Sequence, residues 1–268
     1  ASIKIVIRNN MSTILFNEIV FGPVKSRRLG ISLGVNLLPR FGKWCNFDCI
    51  YCDCGFNKDG KGDINLPTVE EVEEALREKL VNHDKTIGAI DTITFSGNGE
   101  PTMHPGFSKI MDIAIDMRNR YATEAKVSVL TNGSRAHIKE VADALLKVDN
   151  AIVKIDSASE ETIRLIDRPQ FNYSLEKIIE GLAPFKERFV LQTMFLKGEF
   201  EGHLIDNTTP EEVEMWYKVV ERTRPREIMI YTIDRETPAK NLEKAGSETM
   251  EAIAAPLRER GYKVTISL

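Results

Sequence analysis

The order of apolar segments along the chain constrains its fold more than any other feature. From residue 27 onward, short runs rich in β-branched and aromatic residues alternate with longer segments whose apolar residues recur at helical spacing. Such alternation is typical of parallel strands joined by crossover helices. The predicted strands cover residues 29–37, 92–96, 126–131, 151–156, 189–195 and 227–232, and a further strand at 262–268 would close or extend one edge.

The helices between these strands have recognisable starts and apolar faces. Thr68 and Glu71 have the spacing of a capping box, and an apolar stripe at helical spacing follows them. Further helices are predicted at residues 107–121, 138–148, 174–185, 210–222 and 247–260. The segment 198–209, which contains His203, is instead expected to be a flexible loop that could cover a binding site.

Length and composition are typical of a single globular domain. The chain has 268 residues, of which 42% are hydrophobic and 28% charged, and no apolar run approaches the roughly 18 residues that a membrane span needs. Residues 1–10 precede Met11 and are interpreted as a non-native remnant or an added edge strand, which leaves residues 11–268 as one domain. The net charge of −4 argues against broad, nonspecific nucleic-acid binding.

Polar or glycine-rich motifs follow each of the six main predicted strands. A cysteine-rich loop follows the first strand, and the other motifs lie at residues 97–100, 131–133, 156–157, 192–197 and 231–236. In βα barrels the active site forms at the carboxyl ends of the strands, because the loops converge there. The sequence therefore predicts that these segments surround one site.

The four cysteines of the chain all lie within ten residues, and three of them have the spacing C-x3-C-x2-C. Thiolates are the ligands of iron-sulfur clusters, so Cys45, Cys49 and Cys52 could bind three irons of a 4Fe-4S cubane and leave the fourth iron open to a substrate. Free cysteines without a pairing framework, together with an oxygen-sensitive cluster, indicate a cytoplasmic protein of anaerobic metabolism.

A structural zinc site made by all four cysteines is the alternative. Zinc sites usually combine two C-x2-C pairs separated by a dozen or more residues, which makes four ligands within ten residues a cramped arrangement. The role of Cys54 stays open between a spare thiol near the cluster, a ligand when the site is damaged, and a small buried residue.

The motifs resemble those of the radical S-adenosylmethionine (SAM) enzymes, in which an aromatic residue, here Tyr51, precedes the last cysteine of this spacing. Residues 21–30 (FGPVKSRRLG), 97–102 (GNGEPT) and 130–133 (LTNG) are similar to the wyosine-synthetase-related branch. The resemblance implies a partial (β/α)6 barrel with parallel strands, a 4Fe-4S cluster and SAM as cofactors, and an electron donor such as flavodoxin or ferredoxin. It also implies reductive cleavage of SAM to a radical that abstracts a substrate hydrogen.

The resemblance further implies which residues contact SAM. The glycines of the 97–100 motif let the backbone approach closely, and Glu100 can accept hydrogen bonds from the ammonium group of SAM. The other expected cofactor-binding residues lie at strand ends, where each could equally serve an ordinary turn, core or structural hydrogen bond. The full set is Tyr51, Gly97, Asn98, Gly99, Glu100, Asn132, Ser134, Ser157, Gln192, Tyr231 and Ile233.

Several charged residues near the same strand ends are candidates for catalysis and for substrate binding. Lys154 alternates with apolar residues and is expected to point inward, where it needs a partner such as Asp156 or Glu100. These three residues are the catalytic candidates. The substrate candidates, each of which could also be a plain surface charge, are Arg27, His104, Arg168, Arg235 and Glu236.

Wyosine synthetases carry a second cluster upstream of the SAM cluster, and residues 1–44 contain no cysteine that could bind one. The leading hypothesis is therefore a single-cluster enzyme that acts on a small polar substrate, a modified purine base related to queuine, in a lyase-type cleavage and hence in queuosine salvage. The alternatives are a tRNA-modifying enzyme, a glycyl-radical-enzyme activase and a non-enzymatic zinc module. The tRNA alternative would use a basic patch formed by Lys25, Arg27, Arg28, Arg40 and Lys43.

Overall fold

The computed structural model describes residues 14–26, 28–60 and 62–268, so the interpretation of residues 1–10 and the prediction for Arg27 lie outside the described residues. Strands form because β-branched and aromatic residues favour the pleated, buried environment of a sheet. In chain order the strands are β1 (Val20–Ser26), β2 (Gly30–Val35), β3 (Thr92–Phe95), β4 (Lys126–Thr131), β5 (Asn150–Lys154), β6 (Val190–Met194), β7 (Leu196–Phe200), β8 (His203–Asp206), β9 (Glu227–Tyr231), β10 (Asn241–Lys244) and β11 (Lys263–Ser267).

Eight strands form one curled sheet in the order β1-β2-β3-β4-β5-β6-β9-β11. Within this sheet all neighbouring strands pair in parallel except β1, which pairs antiparallel with β2. The six predicted parallel strands are therefore confirmed as a partial barrel of the radical SAM type. The predicted last strand is also confirmed, because β11 extends the edge beside β9.

The helices cover the convex face of the sheet. They are α1 (Val69–Val81), α2 (Phe107–Tyr121), α3 (Lys139–Lys147), α4 (Glu160–Ile166), α5 (Leu175–Gly181), α6 (Pro210–Thr223) and α7 (Ser247–Glu259). The capping box of α1 is confirmed: the Thr68 side chain accepts from the Glu71 N–H at 3.1 Å, and Glu71 accepts from the Thr68 N–H at 2.7 Å. The helix predicted at 174–185 ends earlier, at Gly181, before a 3-10 turn that contains Pro184.

Residues 198–209 were predicted to be a loop, and this prediction is wrong. Strands β7 and β8 form an antiparallel hairpin there, and β10 joins it as a second, three-stranded sheet. The two residues of the hairpin turn, Glu201 and Gly202, both have positive φ angles, 51° and 81°. Such angles suit a two-residue turn that matches the twist of the flanking strands. His203 accordingly lies at the start of a strand.

The concave face of the sheet determines where the site lies. Residues that alternate with the helix-packed positions point into the barrel, and Ile152, Val190 and Met229 form a small buried cluster there. Leu29, in the turn between β1 and β2, packs on this cluster, so that turn reaches the barrel interior. No helix in the described part of the chain is both long enough and apolar enough to cross a membrane.

Candidate active site

A cavity of about 350 Å³ lies on the concave face, at the carboxyl ends of the parallel strands. This is the position that the sequence predicts for the site surrounded by the motifs at the strand ends. All four cysteines line it. Of the cofactor-binding residues predicted from the sequence, those that also line it are Tyr51, Gly97, Gly99, Glu100, Asn132, Gln192 and Tyr231.

The cysteine loop is held by backbone hydrogen bonds to the end of α4. The Asp48 N–H donates to the Asp167 carbonyl at 3.0 Å, and the Ile50 N–H donates to the Ile166 carbonyl at 2.9 Å. The Sγ atom of Cys54 donates to the Gly97 carbonyl at 3.3 Å, which ties the loop to the end of β3. The loop is thus anchored on both sides before any cofactor binds.

The donor set of this loop fits an iron-sulfur cubane. Among the described residues no three cysteine, histidine or acidic side chains converge on one point, as the ligands of a single ion would. A cubane does not need such convergence, because each thiolate binds a different iron. Cys45, Cys49 and Cys52 border one cavity next to two lysines, Lys43 and Lys154, whose charges balance thiolates.

Lys43 is a buried cation beside the cysteines. Its Nζ atom donates to the Gly55 carbonyl at 2.6 Å and lies 3.7 Å from the Asp48 carboxylate. Burial alone would lower the pKa of Lys43, but the thiolates, that of Cys52 foremost, raise it above its ordinary value. Lys43 was predicted to be part of a basic patch, whereas it is buried inside the site, and its position two residues before Cys45 was the available signal for that role.

The thiols themselves have unequal proton affinities. Burial raises the pKa of Cys45 to about 12, with the Glu100 carboxylate adding to the effect. The neighbouring Cys54 and, after it, the charge of Lys43 together lower the pKa of Cys52 to about 6, against the opposing effect of burial. Cys52 is therefore the thiol of this loop that ionises most easily.

Glu100 joins the ends of β3 and β4. Its Oε1 atom accepts from the hydroxyls of Thr102 at 2.5 Å and Thr131 at 2.6 Å, and its Oε2 atom accepts from the Asn132 N–H at 2.8 Å. Burial raises its pKa, while these hydrogen bonds act in the opposite direction. Glu100 lines the cavity, as predicted for a residue that binds an ammonium group, and it also holds two loops together.

Gly99 allows the cysteine loop to approach the end of β3. Its backbone bridges to Trp44, its φ angle is 139°, and an added Cβ would fall inside the contact distance of the Trp44 carbonyl oxygen. A side chain is strained at such a φ angle even where space exists.

We expect Gly99→Ala to lower the free energy of unfolding by about 1–3 kcal/mol through backbone strain and to weaken SAM binding. Urea unfolding and equilibrium dialysis with labelled SAM would measure the two effects. Gly62→Ala is the control, because a Cβ at Gly62 meets no atom. Equal SAM affinity in both variants would contradict the assignment of Gly99 to the SAM site.

A buried cluster of charges lies beside Cys49. The Nζ atom of Lys154 donates to the Tyr51 hydroxyl at 2.5 Å, to Asp156 at 3.0 Å and to Asp167, and it lies 3.5 Å from the Cys49 Sγ atom. The Tyr51 hydroxyl also donates to Asp156. The predicted pair of Lys154 and Asp156 is thus present, whereas Glu100 is bonded elsewhere.

The electrostatics of this cluster depend on Lys154. Burial would lower its pKa, but Asp156 and Asp167 raise it well above the ordinary value. Burial, and then repulsion from Asp156, raises the pKa of Asp167 to about 7. Asp167 was missed in the sequence because it follows a short helix, α4, that periodicity did not reveal. The cap at Ser159 was the only local signal.

The other four predicted cofactor-binding residues do not line the cavity: three are engaged in structural hydrogen bonds, and one packs against the core. Asn98 is fully buried and donates to the Phe16 and Pro39 carbonyls. Ser134 accepts from Asn46 at 2.9 Å, and the Ser157 hydroxyl donates to Glu212. Ile233 packs against the main core. The structure does not place their side chains on the cavity wall.

The described substrate candidates are not brought to the cavity wall either. His104 is buried, with Nε2 bonded to the Pro67 carbonyl and Nδ1 accepting from the Gly106 N–H. The Arg168 guanidinium lies over Phe56 and Phe200, Arg235 pairs with Asp53 at 3.1 Å, and Glu236 is exposed. Of these, only Arg235 touches a cavity-lining residue.

Comparison with known proteins agrees with this geometry. The family model described as the Radical SAM superfamily matches residues 40–208. The chain belongs to the radical SAM superfamily. Its cofactors are therefore a 4Fe-4S cluster and SAM, for which the thiolates and cavity provide the binding groups. The fold of this radical SAM chain is similar to that of SuiB from Streptococcus suis bound to SAM, with a TM-score of 0.61 and 12% identity over 85% of this chain and 48% of that chain.

A radical SAM methyltransferase from Sphaerobacter thermophilus has a similar fold as well, with a TM-score of 0.66 and 14% identity over 88% of this chain and 65% of that chain. Among curated relatives, a protein named GTPase Obg from Brachyspira hyodysenteriae is 32% identical over 91% of this chain and 34% of its own length. A UPF0026 protein from Methanocaldococcus jannaschii is 34% identical over 66% of this chain and 54% of its own length. The chain thus spans between a third and just over half of these two relatives.

Proposed function

We propose that this radical SAM enzyme uses a single, site-differentiated cluster, bound by Cys45, Cys49 and Cys52, to start radical cleavage of a small polar substrate. The observation that carries the proposal is the joint lining of one cavity by these cysteines, by the 97–100 motif and by Lys154. Its volume of about 350 Å³ lies at the low end of the range of about 300–1,000 Å³ for small-molecule sites. Because the cluster and SAM would take up part of this space, only a small substrate would fit beside them.

The residues of the cavity would have different roles in the reaction. The bound cluster and SAM supply a 5′-deoxyadenosyl radical, and the protein's part is to place a substrate C–H bond beside it in a cavity without water. Glu100 and the backbone at Gly97 and Gly99 would orient SAM. Lys154, held by two aspartates, would present a fixed positive charge beside Cys49.

The class of substrate that we propose is a modified purine base similar to queuine. Tyr231 offers a ring for stacking, and Gln192, on the neighbouring strand, offers an amide that can donate and accept. A planar, polar base could stack on this ring and form hydrogen bonds with this amide. The curated relatives include a probable GTP 3′,8-cyclase from Methanosarcina mazei, 26% identical over 76% of this chain, whose name refers to a purine nucleotide.

A one-electron donor of the flavodoxin or ferredoxin class would supply, one at a time, the two electrons that the reaction consumes. Held by the cysteine thiolates and Glu100, the cluster and SAM would supply the group that takes a hydrogen atom from the substrate, and SAM would end as methionine and 5′-deoxyadenosine at the cost of one electron. Cleavage of one substrate bond would then use a second electron and a proton to complete the released fragment. The reaction is thus a reductive lyase-type cleavage.

Incubation of anaerobically reduced protein with SAM and queuine tests the proposal. We expect equal amounts of 5′-deoxyadenosine and cleaved base, measured by mass spectrometry. Guanine is the control, because it has the purine ring system but not the side chain to be cleaved. If queuine gives no more 5′-deoxyadenosine than guanine and no cleaved base, the proposed substrate is wrong.

A further inference from the structure

The turn between β1 and β2 brings an arginine into the barrel. Leu29 packs on the concave-face cluster, and the preceding residue, Arg28, lines the cavity with the cysteines. The backbone N–H groups of Arg28 and Leu29 both donate to the Ser26 hydroxyl, at 3.3 and 3.2 Å, which holds the turn in this position. The Arg28 side chain is therefore directed inward.

Arg28 lies over an aromatic ring but has an unused donor. The centre of its guanidinium group is 4.5 Å from the centroid of the Tyr231 ring, a cation–π contact. Its Nη1 atom is buried and has no hydrogen-bond partner among the described residues. The acidic residues of the cavity wall are engaged elsewhere: Glu100 by hydroxyls and a backbone N–H, and Asp53 by Arg235.

A buried guanidinium nitrogen without a partner is unfavourable in a protein that binds nothing there. Arginine stays charged, and a buried donor left unpaired loses its hydrogen bonds to water without replacement. Such a group in a cavity wall is satisfied when a ligand supplies an acceptor. The contact with the Tyr231 ring holds the guanidinium at the cavity wall, where an acceptor atom of a ligand can reach Nη1.

We propose that Arg28 determines substrate specificity by donating a hydrogen bond to a carbonyl oxygen on the edge of a planar purine-type base. The inference rests on the proposed function for the position of the base in this cavity. Beyond the proposed function, it identifies the carbonyl oxygen as the group of the base that is recognised and Arg28 as the residue that recognises it. Arginine has this preference for the oxygen-bearing edge of guanine, whereas adenine presents an amino group there.

Binding of free bases to the cluster-loaded, SAM-bound protein tests this without turnover. We expect guanine and queuine to bind about tenfold to a hundredfold more tightly than adenine, as the loss of a charged hydrogen bond predicts. Arg28→Met, which keeps an apolar stem, should remove this discrimination and leave SAM affinity unchanged. Arg28→Lys should restore part of it, because the charge returns without the planar fork.

Arg120→Met is the matched control, since it removes a guanidinium from an exposed position on α2. It should leave both affinities as in the parent chain. The inference is overturned if Arg28→Met keeps the guanine preference, if it weakens SAM binding as much as base binding, or if the parent chain binds neither base. Tight binding of queuine without cleavage would instead contradict the proposed reaction and leave the role of Arg28 supported.

Discussion

Serine in place of Cys45, Cys49 or Cys52 is expected to abolish both the cluster and the formation of 5′-deoxyadenosine. Serine oxygen is a harder and weaker ligand for iron than thiolate, and two remaining thiolates leave two irons without protein ligands. Iron and sulfide analysis, absorbance at about 400 nm and a SAM-cleavage assay would measure the loss after anaerobic reconstitution.

Cys54→Ser is the matched control for these variants. Cys54 lines the same cavity, but its Sγ atom donates to the Gly97 carbonyl, a bond that a serine hydroxyl can also make. We expect this variant to keep its iron and to cleave SAM. Loss of the cluster in Cys54→Ser would contradict the three-ligand assignment. Stoichiometric zinc in the anaerobically purified parent chain would favour the zinc alternative.

Lys154→Met is expected to produce the largest loss of stability among single changes in the site. The change leaves Asp156 and Asp167 buried beside each other without a cation, since both carboxylates are almost fully inaccessible. Removing one partner of a buried ion pair costs about 3–5 kcal/mol, because the remaining charge is neither solvated nor paired. Urea unfolding of the cluster-loaded protein under anaerobic conditions would measure it.

Two companion variants make the Lys154 result specific. Adding Asp167→Asn to Lys154→Met should recover part of the lost stability, because one of the two buried carboxyl groups that Lys154 pairs with is removed. Lys197→Met is the control, since the Lys197–Glu243 pair is at least half-exposed and such pairs contribute little to the free energy of unfolding. An equal loss in Lys154→Met and Lys197→Met, or a double variant less stable than Lys154→Met alone, would show that the cluster is not held by charge balance.

The parts of the fold that the sequence predicted depend on local patterns. The capping box at Thr68, the apolar periodicity of the strands and the positions of the main helices all follow from interactions within a few residues. Segments shorter than the usual window were missed. Strands β7, β8 and β10 and helix α4 are such segments, and β10 pairs with a strand, β7, in a distant part of the chain.

For the site as well, local sequence patterns predicted some features and missed others. The spacing of the cysteines and the glycines of the 97–100 motif led to the cofactors, and the cavity brings both together. His104 and Ser157, chosen because they lie near strand ends, are engaged in structural hydrogen bonds. Proximity along the chain could not distinguish a side chain directed at the cavity from one directed at the loops behind it.

By itself, then, the sequence determined the parallel α/β fold and the membership of the radical SAM superfamily, because short apolar patterns and local motifs encode both. Only the tertiary structure decided which distant charges meet. It brought Asp167 to Lys154 across 13 residues and Lys154 to Tyr51 across 103, and it placed Arg28 over Tyr231. The curl and register of the sheet set these contacts, and no short-range pattern carries that information.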